Sequence, residues 1–439
     1  MKLFSLRLTT LKSKLYAIVF ASFVVRVVAF FALPNSASNL APDEGQYANL
    51  VSWVAQGKAV DQYPSFGPDL YNSSRSIILP ATLFNRLGIE ALDSIRLTST
   101  IYSLLTTILV AVLIVKLNEK RQIFSDSRQG NQSITLLFFL LFTFLPSRFA
   151  WSLLGLRESS VEFWVIFVFM GVFTIYFLDV KHSIISTTTL LMGIVMVYNS
   201  RPQVGLVLGV GLFLFFVSSI KIRSSILLIP VIITGMMLGA ATTATPVTPV
   251  TPVTPVTPVT PVTPVTPVTP VTPVKEIIEQ SKNAFYHHKV NQIGAVSVIE
   301  TINCPFEAEI SDSNFLCLVW RAPYSTFTFL FRPLLAPDIT SLSSLFAAIE
   351  NVFWLSSFIF IFVMFIRNRR LAFPRPLAPS LFFFTLYTVG AGAYEGNMGT
   401  AFRHKSLILW VVILLLASTI VATQQRKAKR DGISGSTQE

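Results

Sequence analysis

Two adjacent carboxylates, Asp43 and Glu44, open a segment whose apolar residues follow Tyr47 at positions i+3, i+4 and i+7. This spacing predicts an amphipathic helix, and Pro42 suits its first position. The helix dipole favours ionised carboxylates in a first turn. The segment therefore holds one or two acids at a surface, although Asp and Glu are common at helix starts for that reason alone.

Three further clusters, in segment 151–159, at Arg201 and in segment 394–405, place ionisable groups at the edges of long apolar runs. Such groups are costly there unless they are paired or functional. Each cluster alone is explained by an anchor or a helix-end pair. The predicted topology puts all of them on the same side as the acids, which indicates a site for a phosphate-bearing substrate, because guanidinium groups match phosphate geometry. The candidate binding residues are Tyr47, Arg157, Glu158, Arg201, Arg403, His404 and Lys405.

Composition indicates that the elements holding these residues lie in a membrane. Hydrophobic residues make up 52% of the 439 and charged residues only 13%, with a mean hydropathy of +0.63. Soluble domains carry roughly a quarter charged residues. The net charge of +12 lies in short loops and tails, as the positive-inside bias expects, and we predict no nucleic-acid partner.

The predicted fold is all-α, with about ten transmembrane helices and both termini in the cytoplasm of a plasma (inner) membrane. A span needs about 20 apolar residues. Residues 76–92 are short and interrupted by Pro80, Asn85 and Arg86, and we predict an interfacial or re-entrant helix there. The ten predicted spans are 15–33, 97–115, 133–150, 159–178, 184–200, 203–219, 225–241, 348–366, 377–394 and 405–422.

These spans divide the chain into four parts. An N-terminal module of seven spans, 1–241, includes the first outer loop at 34–75. A Thr-Pro-Val repeat spacer occupies 242–274, an extracytoplasmic segment 275–347, and a C-terminal module of three spans with a cytoplasmic tail 348–439. Proline at every third position favours polyproline II, which cannot cross a bilayer because its backbone would be unsatisfied. A glycosylated stalk or a partner-docking strand is the alternative to a plain spacer.

The two cysteines, Cys304 and Cys317, both lie in the extracytoplasmic segment. A disulfide between them would persist on that side of the membrane; the alternative is two unrelated small residues. His287 and His288 are adjacent, and adjacent side chains in a helix diverge, so we interpret them as surface histidines and not as zinc ligands.

Several segments resemble the multi-spanning glycosyltransferases of the GT-C fold, which use polyprenyl-phosphate sugars. The similarity extends to dolichyl-phosphate-mannose mannosyltransferases and to bacterial polysaccharide-cluster members. It covers most of the chain apart from the Thr-Pro-Val repeat. The segments that carry it are PDEGQY (42–47), FLPSRFAWSLLGLRES (144–159), FRPLLAP (331–337), IENVFW (349–354) and GNMGTAFRHKSLI (396–408).

The resemblance implies that a sugar moves from a polyprenyl-phosphate donor to an acceptor on the outer face, in envelope or exopolysaccharide synthesis. It makes Asp43, with Glu44 beside it, the candidate catalytic carboxylate. The carboxylate would act as a general base or by binding a metal ion. Arg157, Arg201 and Arg403 become candidates for holding the lipid phosphate. The metal is unknown, no cofactor is certain, and a divalent metal ion stays an open option. The expected partners are the lipid bilayer and the polyprenyl-phosphate-linked sugar.

Three other functions stay open at this point. A polysaccharide polymerase or ligase would use a large outer loop, for which 275–347 qualifies. A non-enzymatic multi-span transporter or flippase should show charges in mid-span and paired half-repeats. Here the ionisable groups mostly lie at the outer ends of the predicted spans, with Arg26 inside the first span as an exception, and no internal symmetry is evident. A relative that keeps the fold without activity is the third. No nucleotide-binding fingerprint is present.

Overall fold

The computed structural model describes most of the helical parts of the chain. The Thr-Pro-Val repeat, His287, His288 and Cys304 lie outside it, and of Cys317 only the backbone is described, so the predicted disulfide also lies outside it. The described residues are 11–34, 42–64, 67–121, 129–176, 184–219, 223–243, 312–334, 338–339, 342–367, 377–395 and 398–435.

The described residues form helices joined by turns, with no strand among them, so the predicted all-α class is confirmed for these parts of the chain. A single 3₁₀ turn lies at Val60–Gln62. The α-helices are Leu11–Ala32 (α1), Pro42–Ala55 (α2), Gly67–Asn72 (α3), Arg75–Arg86 (α4), Ala91–Arg121 (α5), Gln129–Phe144 (α6), Pro146–Leu153 (α7), Glu158–Tyr176 (α8), Ile184–Ser200 (α9), Pro202–Ser218 (α10), Arg223–Thr243 (α11), Asp312–Phe331 (α12), Leu342–Arg367 (α13), Ala378–Tyr394 (α14) and Met398–Gly435 (α15).

Five described helices, within α1, α5, α8, α13 and α15, are long and apolar enough to cross a membrane, and a bent pair, α6 with α7, makes a sixth. These helices are typical of a multi-pass membrane protein. Other apolar helices are shorter; α9 and α10 have 17 residues each. At 1.5 Å per residue that is about 25 Å, somewhat less than the roughly 30 Å of hydrocarbon. The number ten therefore stays a prediction.

The predicted span at 133–150 is bent by 41° between α6 and α7. Leu145, at the break, has φ −55° and ψ 129°, and Pro146 begins α7. A residue before proline is pushed out of the helical region, so the helix breaks there. The freed start of α7 is bound by Glu350 of α13, whose carboxylate accepts hydrogen bonds from Ser147 N at 3.0 Å and Ser147 Oγ at 2.6 Å.

The first loop folds onto the bundle through α2 and α4. Tyr47 and Val51 of α2 are buried in one cluster with Ile77 and Ile78 of α4. The opposite side of α4 exposes leucines, of which Leu83 is 59% exposed. At 12 residues, about 18 Å, α4 is too short to cross a bilayer, and its two-sided character is that of an interfacial helix.

The contact between α12 and α14 depends on a glycine. A Cβ on Gly392 would lie 2.8 Å from the backbone Cα of Thr326, whereas a Cβ on Gly390 would meet nothing within 4 Å. We expect Gly392→Ala to destabilise the protein by about 1–3 kcal/mol, because overpacking forces the two backbones apart. Thermal unfolding in detergent measures this change. The matched variant Gly390→Ala should unfold at or slightly above the wild-type temperature, and equal effects of the two would show that the close approach is absent.

Candidate functional site

Ionisable residues from five places in the chain meet at one end of the helix bundle. Arg403 Nη1 donates to Asp43 Oδ2 at 2.8 Å, although 360 residues separate them. Arg201 Nη2 donates to Glu158 Oε1 at 3.2 Å. We call this group the polar cluster, and its members are Asp43, Tyr47, Arg157, Glu158, Arg201, Glu395, Arg403 and His404.

Helix ends place these side chains. Arg157 directly precedes α8, whose first residue is Glu158, and Arg201 is the one residue between α9 and α10. Arg201 has an extended backbone, φ −159° and ψ 100°, and precedes Pro202, as expected before proline. Because α9 and α10 reverse direction within one residue, the guanidinium stays at this end of the bundle.

In the innermost part of the cluster, two glutamate carboxylates flank the imidazole of His404. Nδ1 of His404 is hydrogen-bonded to Glu395 Oε1, and its Nε2 lies 3.8 Å from Glu158 Oε1. The side chains of Glu158 and His404 are each only 5% exposed. Tyr387 donates a hydrogen bond to the backbone carbonyl of His404 at 3.4 Å. The imidazole is therefore held between two acids in a nearly dry environment.

Arg157 differs from the other arginines of the cluster. Its Nη1 donates to the backbone oxygen of Ser73 at 3.2 Å and to Ser73 Oγ at 3.0 Å, and no described carboxylate lies within 4.0 Å. Burial acts to lower the pKa of Arg157, but Tyr47 and Glu158 outweigh it, so that this pKa is raised. Burial, together with Arg157 itself, lowers the pKa of Arg201. Two neighbouring guanidiniums that repel each other are stabilised by an anion.

Four buried atoms of the cluster lack hydrogen-bond partners among the described residues. They are Arg157 Nε, Glu158 Oε2, Arg201 Nε and His404 Nε2. Buried polar atoms in native proteins are nearly always partnered. Several such atoms in one cluster indicate a place where water or a ligand supplies the missing hydrogen bonds.

The cluster runs from a half-open mouth to a closed interior. Asp43 lies at the mouth, with 47% of its side chain exposed, while its partner Arg403 is 15% exposed. Tyr47, one turn along α2, is 4% exposed, and burial raises the pKa of its phenol. Water and solutes therefore reach Asp43 directly, whereas the side chains of Glu158 and His404 are buried.

Comparison with known proteins does not identify the role of the polar cluster. No family model, curated protein or solved structure matches this chain. The GT-C family stays a resemblance. Among the described residues, no group of three or more His, Cys, Asp or Glu side chains could hold a metal ion. The described residues therefore do not supply such a ligand set for the divalent metal that the resemblance leaves open.

Glu44 lies in a separate buried ion pair. Its Oε1 accepts hydrogen bonds from Arg96 Nε at 2.8 Å and from the backbone N of Gly155 at 2.7 Å, and its Oε2 accepts one from Arg96 Nη2 at 3.1 Å. The side chains of Glu44 and Arg96 are 0% and 2% exposed. Both carboxylate oxygens are thus occupied in joining α2, α5 and the turn before α8. This geometry favours a structural role for Glu44; its catalytic role stays a prediction.

Lys405 points to a different part of the fold from His404. Its Nζ donates to the backbone oxygen of Arg332 at 2.6 Å and to Asn351 Oδ1 at 3.0 Å. Asn351 Nδ2 in turn donates to the oxygen of Pro333 at 3.0 Å. In the same turn Arg332 binds Asp338 at 2.9 Å, and this hydrogen bond lowers the pKa of Asp338. Lys405 therefore anchors the turn after α12.

Two important partners were not singled out from the sequence. Glu395 lies inside the segment 394–405 that carried the predicted basic residues, and an acid among those bases was the available signal. Arg96 precedes a predicted span by one residue, but its partner lies 52 residues away. No pattern in the sequence around either residue identifies such a pair.

Proposed function

We propose that this chain is a membrane glycosyltransferase that moves a sugar from a polyprenyl-phosphate donor to an acceptor hydroxyl, in envelope or exopolysaccharide synthesis. The observation that carries the proposal is the polar cluster: a half-exposed carboxylate at its mouth, guanidiniums behind it, and buried polar atoms without protein partners. Catalytic sites combine such groups in a cleft. The sequence resemblance to GT-C enzymes points to the same reaction.

We further propose that ten helices cross the membrane, with the polar cluster on its non-cytoplasmic side. Arg96, near the start of α5, lies at the cluster end through its pair with Glu44, so Lys116 of the same helix lies toward the opposite end. Asn351 of α13 contacts Lys405, so α13 ends at Arg367 on that opposite side too. Basic residues favour the cytoplasmic face, which supports cytoplasmic termini in a plasma (inner) membrane.

In this mechanism Asp43 is the general base. The acceptor oxygen attacks the anomeric carbon of the sugar while its proton passes to the Asp43 carboxylate. The bond between the anomeric carbon and the phosphate oxygen breaks, and its electron pair stays on the phosphate. Arg403, bound to Asp43 Oδ2, holds the carboxylate in one orientation and leaves Oδ1 for the acceptor.

The departing lipid phosphate gains negative charge in the transition state, and preorganised cations stabilise such charge. We assign this role first to Arg157, because no described carboxylate neutralises it within 4.0 Å and its Nε has no partner in the described part of the chain. Arg201, which Arg157 repels, gains from the same anion.

The proposal is tested by measuring sugar transfer in membranes prepared from cells that express the full chain. We expect wild type to transfer radiolabelled sugar from a polyprenyl-phosphate donor. Asp43→Asn, which keeps the shape but not the proton acceptor, should lower the rate about 10²–10⁴-fold at equal membrane insertion. Asp61→Asn, in the same loop but exposed, should leave the rate unchanged. Absence of transfer from every donor tried contradicts the proposed function, and equal rates for wild type and Asp43→Asn contradict only the role of Asp43.

A second function, a transporter or flippase, is favoured by buried charges within the spans. Arg148 of α7 binds Glu162 of α8 at 2.9 Å, and Arg26 of α1 is buried without a described carboxylate partner, donating to Ser152 Oγ at 3.3 Å. Intramembrane charges often mark transport pathways. A flippase would move the lipid-linked sugar between the leaflets of a vesicle without acceptor, and a transferase would not.

A further inference from the structure

We propose that Ser76, a buried residue of α4, is a positioning residue that sets the spacing between Arg157 and Arg201. This inference rests on the proposed function, in which these two guanidiniums bind the lipid phosphate. It adds a residue that acts on the phosphate only through its neighbours, from a helix of the first loop.

Three serine hydroxyls connect the ends of the two helices that hold these arginines. Ser200, the last residue of α9, donates from its Oγ to Ser76 Oγ at 2.7 Å. The Oγ atoms of Ser76 and Ser160 are 2.9 Å apart, and Ser160 Oγ donates to the backbone oxygen of Arg157 at 2.8 Å. We call Ser200, Ser76 and Ser160 the hydroxyl chain. It begins one residue before Arg201 and ends on Arg157.

The number of protons gives the hydroxyl chain a direction. A serine hydroxyl has one proton to donate and two lone pairs that accept. Because Ser160 donates to Arg157, the proton between Ser76 and Ser160 comes from Ser76, whose lone pairs accept from Ser200. The Ser200 proton is shared with the backbone oxygen of Met196, 2.6 Å away. The three serines are at most 2% exposed, and hydrogen bonds in such a chain strengthen one another.

Ser76 is itself held by a third helix. Pro80, four residues further along α4, has no N–H, so the Ser76 carbonyl lacks its usual helical partner. Tyr102 of α5 takes that place and donates from its hydroxyl to the Ser76 oxygen at 2.8 Å. The guanidinium of Arg157 also binds next to Ser76, at Ser73 in the turn before α4. The start of α4 therefore holds Arg157 by both its side chain and its backbone.

The spacing of the two arginines matters because both are to meet one phosphate. Charge-assisted hydrogen bonds require a fixed geometry, and small misplacements of a binding group are costly in a reaction. Arg157 and Arg201 also repel each other, which acts to separate the helix ends that carry them. The hydroxyl chain opposes this separation. Alanine at position 76 would occupy nearly the same space but would break both hydrogen bonds of the middle hydroxyl.

The test measures binding of polyprenyl monophosphate to the purified full-length protein in detergent, beside thermal unfolding. We expect Ser76→Ala to raise the Kd about 2-fold to 10-fold, the range that the loss of a neutral hydrogen bond gives. In a protein that already carries Arg157→Ala, the same change should raise the Kd by a smaller factor, because part of its effect passes through Arg157. A merely structural serine would lower the unfolding temperature and leave the Kd unchanged. Ser160→Ala cuts the next link and replaces Ser76→Ala if that variant does not fold.

The matched control is Thr82→Ala, because Thr82 is also buried on α4 but donates its hydroxyl to Ile78 of its own helix at 2.8 Å. Its Kd should equal that of wild type. If Arg157→Ala weakens binding while a folded Ser76→Ala or Ser160→Ala protein binds like wild type, the positioning role is wrong and the phosphate site stands. Equal factors for Ser76→Ala with and without Arg157 also overturn the positioning role. If wild type does not bind polyprenyl monophosphate, the proposed function is wrong and the role of Ser76 falls with it.

Discussion

Replacing Glu44 with alanine is expected to destabilise the folded chain by about 3–5 kcal/mol, the usual cost of removing one partner of a buried ion pair. The Arg96 side chain, which is only 2% exposed in the folded chain, would have no carboxylate to neutralise it, and the backbone N of Gly155 would lose its acceptor. Equilibrium unfolding in detergent measures the change. Because single mutations rarely exceed about 4–5 kcal/mol, this ranks among the largest effects expected for a point change in this protein.

The matched control is an exposed ion pair on α5. Lys116 and Glu119 approach to 3.8 Å with side chains more than half exposed, so Glu119→Ala should change stability by about 1 kcal/mol or less. The double variant Glu44→Leu with Arg96→Met separates structure from catalysis, since an apolar pair can replace a buried ion pair. A stable double variant that still transfers sugar assigns Glu44 to structure. A stable variant without activity would restore the catalytic role predicted from the sequence.

Replacing Arg157 with alanine is expected to raise the KM for the polyprenyl-phosphate donor about 10-fold to 100-fold, the effect of losing a charge-assisted hydrogen bond. The rate constant kcat should fall as well, because the departing phosphate loses a cation. Arg157→Lys should recover part of the affinity but not the forked geometry of a guanidinium. Initial rates of sugar transfer at varied donor concentration give both constants.

Arg367→Ala provides the charge-matched control, because Arg367 is an exposed residue at the far end of α13. The KM of the Arg367→Ala protein for the donor should equal that of wild type. This result would show that the rise in KM for Arg157→Ala is local and does not reflect the change in net charge. An unchanged KM in Arg157→Ala, at equal membrane insertion, would remove Arg157 from phosphate binding. Arg201 and Arg403 would then be the remaining guanidiniums of the cluster to test.

Several features were open to prediction from local sequence. Apolar runs indicated the long helices, since hydrophobic length is a local property. Proline in the predicted span at 133–150 was a visible cue for the break at Pro146, yet its 41° bend was missed. Span length was harder to predict: α5 runs from Ala91 to Arg121, well beyond the predicted 97–115, because polar residues such as Ser94 and Arg96 continue the helix once neighbours bury them.

Only the tertiary structure determined which charged side chains pair with one another. The sequence by itself determined that acids and arginines stand at helix ends, and that the chain is helical and apolar enough for a membrane. It did not determine that Asp43 pairs with Arg403 while its neighbour Glu44 pairs with Arg96, or that Lys405 turns away from His404 toward Arg332. Adjacent residues on a helix point about 100° apart, and the helix that each one meets depends on how the whole bundle packs.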